Sequence, residues 1–216
     1  MSNRTYQELQ SSYMDKRALI KARLKEFKQV FEQGDDRRIF EELVFCIFTA
    51  NASAKMGLKA VDAVRDILMD ADTEDLSSRL QHVHRFPNAR ARYIVHTREF
   101  LKKEFNFRLK DLILSFSDRL ERRDFFANHK DIKGVGFKES SHFLRNIGFR
   151  GYAILDKHIL QSLYEFGVID NPNPPVIRDK YLQIENKFNE FANKLEIDSD
   201  ELDLLLWSEK TGEILK

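Results

Sequence analysis

Two residues in this chain have the types and spacing of a nucleophile and its electrostatic partner: Lys138 and, eighteen positions on, Asp156. Only a neutral amine attacks carbon. Lys138 follows Gly134-Val135-Gly136-Phe137 at the expected start of a helix, where burial and the helix dipole both disfavour an ammonium. Asp156 closes the apolar run Ala153-Ile154-Leu155, where a carboxylate costs desolvation unless it has a partner or a task. Ionised there, it can stabilise a developing positive charge and help to move protons. Taken singly, each has a plainer reading: Lys138 as a phosphate-contacting lysine, Asp156 as the N-cap ahead of Lys157-His158-Ile159-Leu160.

The segment from Lys130 to Gly148 reads as a short helix, a hairpin and a second helix. Gly134 and Gly136 permit a tight turn. The backbone N–H groups that open the following helix then point outward, where a phosphate oxygen can accept from them. Such a clamp reads DNA or RNA without regard to sequence. A Gly-x-Gly turn alone is common; here Ile132 and Val135 supply the apolar side chains that pack the hairpin, and Lys138 sits on the first turn beyond it.

The elements that must position these residues are helices. Apolar residues recur at helical spacing in Leu24, Phe27, Val30 and Phe31, in Ile39, Phe40, Leu43, Val44, Ile47 and Phe48, and in Val61, Val64, Ile67 and Leu68. Later stretches repeat the pattern in Phe143, Leu144 and Ile147, and in Tyr181, Phe188 and Phe191, while strand-like alternation is nearly absent. The expected fold class is all-α. Breaks are expected at Gly34-Asp35-Asp36, at Phe86-Pro87-Asn88, at Gly134 to Gly136 and at Gly148 to Gly151. The longest irregular connection holds Pro172, Pro174 and Pro175.

Thirty-six Lys and Arg against 35 Asp and Glu give a net charge of +1, which excludes a polybasic or an acidic tail protein. The distribution is less even. Residues 79–103 hold Arg79, Arg85, Arg90, Arg92, Arg98, Lys102 and Lys103 against Glu99 alone, whereas residues 185–213 hold nine acids and three bases. A polyanion-binding face opposite an acidic one is one reading, and two solvated helix faces of opposite sign is the other. Eighteen Phe in a chain 42% hydrophobic and 33% charged mark a globular protein. The single Cys46, expected as buried packing, excludes an internal disulfide, a Cys-rich zinc site and a four-cysteine iron–sulfur cluster. His82, His84, His129, His142 and His158 lack zinc spacing, so no metal site is expected. No segment has the apolar run of a signal peptide or a membrane span, and a cytoplasmic location is expected.

The hairpin, the lysine and the aspartate eighteen residues later resemble the bifunctional branch of the helix-hairpin-helix DNA glycosylase superfamily. Four segments narrow the resemblance to the type-2, archaeal-type 8-oxoguanine DNA glycosylase/AP lyases. They are Leu43-Val-Phe-Cys-Ile-Phe-Thr-Ala-Asn51, Gly134-Val-Gly-Phe-Lys-Glu-Ser-Ser-His-Phe-Leu-Arg-Asn146, Ala153-Ile-Leu-Asp-Lys-His-Ile159 and the ending from Trp207 to Lys216. The similarity spans roughly residues 40–216.

That resemblance implies a single domain over 1–216 with two helical lobes and a DNA-binding cleft. One lobe is expected over 52–150, the other from 1–51 with 151–216. It implies that a flipped 8-oxoguanine nucleotide is attacked at C1′ by Lys138, that Asp156 stabilises the sugar, and that the Schiff base then undergoes β-elimination. Asn51 is placed to fill the gap left by the flipped nucleotide, or else to cap its helix. Arg85 and Phe86 resemble a wedge entering the base stack, although a Phe before Pro also serves as a packing anchor. In the family the terminal residue, here Lys216, uses its carboxylate to accept from the N7–H that 8-oxoguanine has and guanine lacks. Trp207 is either part of that pocket or core. No cofactor is implied, and the partner is double-stranded DNA containing 8-oxoguanine, bound by a monomer, with nucleoid-associated activity. The chain lacks the C-terminal cysteine cluster of the iron–sulfur glycosylases. Residues 1–38 match no motif and are expected to add a covering helix. A glycosylase of the same fold with another base specificity, and a hairpin module that holds DNA without chemistry, remain open.

Overall fold

A computed structural model describes residues 5–215, and among them there are eleven α-helices and no strand. In order they are α1 (Tyr6–Gln33), α2 (Asp36–Thr49), α3 (Ala54–Val64), α4 (Thr73–Leu80), α5 (Pro87–Phe105) and α6 (Leu109–Leu114). Next come α7 (Arg119–Asn128), α8 (Phe137–Asn146), α9 (Lys157–Glu165), α10 (Arg178–Lys194) and α11 (Ser199–Thr211).

Helix starts follow local chemistry. Asp35, Ser53, Asp72, Asp118, Asp156 and Asp198 each accept from a backbone N–H in the first turn of the helix they precede. Pro87 opens α5, where its missing N–H costs nothing. Each expected glycine or proline break falls at a helix boundary, and the three clustered prolines lie in the irregular connection from α9 to α10.

The chain divides into two compact units, one running from Gln29 to Ile147 and the other made of the described residues through Lys28 together with those from Gly148. The boundaries therefore lie at 28/29 and 147/148 rather than at 51/52 and 150/151, and α2 belongs with the hairpin. The reason is packing: every residue of α2 from Ile39 to Thr49 is buried, against α3, α5, α6 and α8. A helix buried all round is the centre of its unit. Its two buried acids are paired, Glu42 with Arg38 at 2.6 Å and with the Asn146 amide at 3.3 Å, Glu41 with Arg65 at 3.3 Å.

The second unit begins with a covering helix, as expected of the N-terminal segment. Leu9, Tyr13, Ile20 and Phe27 form the buried stripe of α1. The Tyr13 hydroxyl donates to Glu201 on α11 at 2.5 Å, and burial with that contact raises the Tyr13 pKa. Further along, α11 packs on α9 and α10. Among the described residues no helix is long and apolar enough to cross a membrane.

Candidate nucleic-acid and catalytic site

In the hairpin unit, Gly134 has φ +74°, a conformation that L side chains rarely adopt, and a Cβ there would lie 2.6 Å from the Tyr93 ring. Ile132 and Val135 are buried beneath the turn. Gly136 differs: its backbone is extended, it forms the N-cap of α8, and its N–H donates to Glu139 Oε2 at 3.2 Å. Glu139, three residues on, thus supplies the reciprocal half of a capping box by satisfying the N–H of the N-cap residue itself.

Lys138 occupies the second position of α8 with its side chain 26% exposed. Its Nζ lies 3.0 Å from Glu139 Oε1. The expected burial of the amine is therefore incomplete, and a carboxylate faces it. One residue, Glu139, holds both the hairpin turn and the amine.

Ala50 is the C-cap of α2, and Asn51, with φ +60°, lies in the turn that the Ala52 N–H closes onto the Thr49 carbonyl at 3.1 Å. The Asn51 side chain is exposed. Arg85 and Phe86 precede α5. Phe86 is 38% exposed, with the Arg85 guanidinium 5.1 Å from its ring centroid.

Two residues the sequence did not single out hold this constellation. His84 is buried; its Nε2 lies 2.9 Å from the Phe48 carbonyl and its Nδ1 accepts from the Phe86 N–H at 3.0 Å. That pairing requires the neutral Nε2–H tautomer. Burial, first, and the nearby Arg90 charge hold the pKa below its ordinary value, against the opposing hydrogen bond to Phe48. Arg90, also buried, donates through Nη2 to the carbonyl of Ala50, beside Asn51. Its guanidinium carbon lies 5.9 Å from the Phe86 ring centroid and 5.8 Å from that of Tyr93, the ring that walls Gly134. Asn51, Phe86 and the hairpin are thereby tied to one guanidinium. Read as sequence, Arg90 is one more charge in a basic run. Of the exposed part of that run, Arg92, His96 and Lys103 line an open groove of about 960 Å³ together with Lys130 at the foot of the hairpin, and Glu99, Glu104 and Asp131 line it too.

In the other unit, Asp156 is the N-cap of α9. Its Oδ1 accepts from the N–H groups of His158 and Ile159, both at 2.8 Å. Both bonds fall on one oxygen. The plainer reading is thus correct and does not exclude the chemical one, since capping fixes the carboxylate while Oδ2 has no partner among the described residues.

Before Asp156, residues 152–155 are buried and lie in no helix, and no strand of the described residues lies beside them. Leaving such N–H groups unpaired would cost about 1–3 kcal/mol each. Side chains of α10 and α11 accept from them. Gly151 donates to Asp200 at 3.0 Å, Ala153 to Glu185 at 3.1 Å, Ile154 to Asp203 at 3.0 Å and Leu155 to the Tyr181 hydroxyl at 3.3 Å. Four of the nine acids of 185–213, Glu185, Asp200, Glu201 and Asp203, are therefore buried and take no part in an exposed acidic face. Burial raises the Asp200 pKa even though Arg150 lies 2.8 Å away and opposes the shift.

Trp207 is half-buried on α11, and its carbonyl accepts from the Thr211 hydroxyl at 3.0 Å. Lys216 lies outside the described residues. Cys46 is buried in the core of α2. Among the described residues, no three His, Cys, Asp or Glu side chains come together as a metal site.

The sequence profile of the 8-oxoguanine DNA glycosylase family matches residues 20–197, which extends the similarity into α1. An 8-oxoguanine DNA glycosylase/AP lyase of Korarchaeum cryptofilum is 38% identical over 93% of this chain and 91% of its own. The crystal structure of the Methanocaldococcus jannaschii 8-oxoguanine DNA glycosylase superposes with a TM-score of 0.87 at 36% identity, covering 98% of this chain and 95% of that one. The M. jannaschii enzyme in complex with a 15mer DNA containing 8-oxoguanine gives 0.86 at 36% identity, covering 96% and 99%.

Proposed function

This chain belongs to the 8-oxoguanine DNA glycosylase/AP lyase family and carries that activity; we propose that Lys138 is its nucleophile and Asp156 the carboxylate that stabilises the sugar. The observation that carries the reading is the position of Lys138, one residue into the helix that the Gly134–Gly136 hairpin opens and with its amine still partly exposed. Hairpin N–H groups hold the phosphate while the adjacent amine reaches C1′.

Attack forms the Nζ–C1′ bond and breaks C1′–N9, and the departing base takes up a proton equivalent to the one that the attacking nitrogen gives up. Positive charge develops on the sugar as that bond lengthens, and the Asp156 carboxylate opposes it. Opening of the sugar ring gives the Schiff base. Loss of a C2′ proton then expels the 3′ phosphate, and water releases the lysine. The expelled phosphate is the strand break.

DNA contact falls to Gly134, Gly136, Asn51, Arg85 and Phe86. Asn51 enters the space of the flipped nucleotide, and Phe86, backed by two guanidinium groups, enters the base stack. Lys216 and Trp207 read the base. One chain carries both proposed catalytic side chains, which supports action as a monomer, on chromosomal DNA.

The test is borohydride trapping on a duplex containing one 8-oxoguanine, with a guanine duplex as control. The wild-type protein is expected to give a covalent adduct on the damaged duplex alone, and Lys138→Gln none, with DNA binding retained. Full trapping by the variant removes Lys138 as the nucleophile. Binding without an adduct on either duplex points to a different lesion or to a module without chemistry.

A further inference from the structure

We infer that Glu185, Asp203 and Tyr181 are positioning residues, which set the register of the 151–155 segment and through it the direction of the Asp156 carboxylate. This rests on the reading of Asp156 given above. Three side chains from two helices meet three consecutive backbone positions: Glu185 takes the Ala153 N–H, Asp203 the Ile154 N–H, and Tyr181 the Leu155 N–H. The Tyr181 hydroxyl also donates to the Ala153 carbonyl at 2.7 Å, so it grips the segment from both polarities. Immediately beyond, the Asp156 N–H turns back onto the Ile154 carbonyl at 2.7 Å, and its side chain caps α9. Asp156 is thus held between a clamped segment and a helix start.

The choice of side chain is informative. Each carboxylate oxygen accepts from an N–H and gains nothing from a carbonyl, so a slip of the segment by one residue would leave it facing a group with which it cannot pair. Glu185 and Asp203 are both buried, each with a carboxyl oxygen accepting from an N–H of the segment. The segment has no neighbouring strand among the described residues to fix its register, and these three side chains take that part.

The experiment compares two reactions of the full chain. Excision of 8-oxoguanine from duplex DNA requires a carboxylate aimed at the sugar. Borohydride trapping at a preformed abasic site requires Lys138 but breaks no glycosidic bond. For Tyr181→Phe, which keeps the ring, and for Glu185→Leu and Asp203→Leu, single-turnover excision at saturating DNA is expected to fall about tenfold or more. Trapping at the abasic site and the Kd for DNA should change by less than about threefold. Glu185→Gln and Asp203→Asn keep an acceptor oxygen and are expected to recover most of the excision rate.

Equal loss in both reactions means a general structural role and overturns the inference, as does wild-type excision by Tyr181→Phe. Should the leucine variants not fold, Tyr181→Phe and the amide pair still decide it. Asp156→Asn is measured alongside: wild-type excision there defeats the reading of Asp156 itself, whereas an inactive Asp156→Asn beside fully active Tyr181→Phe defeats only the positioning role.

Discussion

Lys138 Nζ lies 3.0 Å from Glu139 Oε1, while the other oxygen of the same carboxylate accepts from the Gly136 N–H. The amine must leave that carboxylate before its lone pair can meet C1′. For a partly exposed pair the separation costs on the order of 0–1 kcal/mol. Glu139→Gln keeps an acceptor for Gly136 and removes the ion pair, so Schiff-base formation is expected to quicken by up to about fivefold. Glu139→Ala also removes the hairpin cap, and DNA affinity should fall with it. Trapping rates and Kd values for the two variants check both statements.

The two hairpin glycines should differ in their tolerance of a methyl group. Gly134→Ala meets both a left-handed backbone and the Tyr93 ring, and is expected to cost about 1–2 kcal/mol from the backbone alone. Gly136 is extended, and a Cβ there meets only the Glu139 carboxylate at 3.4 Å. Urea denaturation should therefore show a loss for Gly134→Ala and a near-native midpoint for Gly136→Ala.

His84 predicts an acid limit to stability. Its pKa is lowered in the fold, so its contribution is complete above the unfolded value of about 6.5. That contribution is lost as pH falls through the folded value, because a protonated Nδ1 cannot accept from Phe86. Between pH 7.5 and 5 the Tm of the wild-type protein should fall more steeply than that of His84→Phe. Parallel pH profiles for the two proteins would contradict the neutral assignment.

Base selectivity should be sensitive to Lys216. Guanine presents a lone pair at N7 where 8-oxoguanine presents N–H, so an acceptor carried by Lys216 favours the damaged base, and deleting that residue should lower the ratio of 8-oxoguanine to guanine excision more than it lowers DNA binding. An unchanged ratio in the protein without Lys216 removes that contact from the reading.

Phosphate contacts release counterions, so affinity should fall steeply with salt, and Arg85→Ala should flatten the dependence by about one unit of slope. A slope unchanged by that substitution places Arg85 away from phosphate.

Local chemistry in the sequence determined the helices, their boundaries and the hairpin. Apolar residues at helical spacing, Asp and Ser at helix starts, and glycines at turns act within a few residues of themselves and need no distant partner. The same locality made Lys138 and Asp156 stand out, each defined by a short flanking motif. Tertiary structure decided which charges face water. Arg90 reads as part of a basic run until its partner at Ala50, 40 residues earlier, is brought to it. His84 likewise meets Phe48 across 36 residues. Glu185 and Asp203 read as acidic surface until Ala153 and Ile154, 32 and 49 residues away, present their N–H groups. The unit boundary moved for the same reason, because α2 is placed by the helices that enclose it and not by its own pattern. A charged side chain carries no local mark of burial; its environment is made by the partners that the fold delivers.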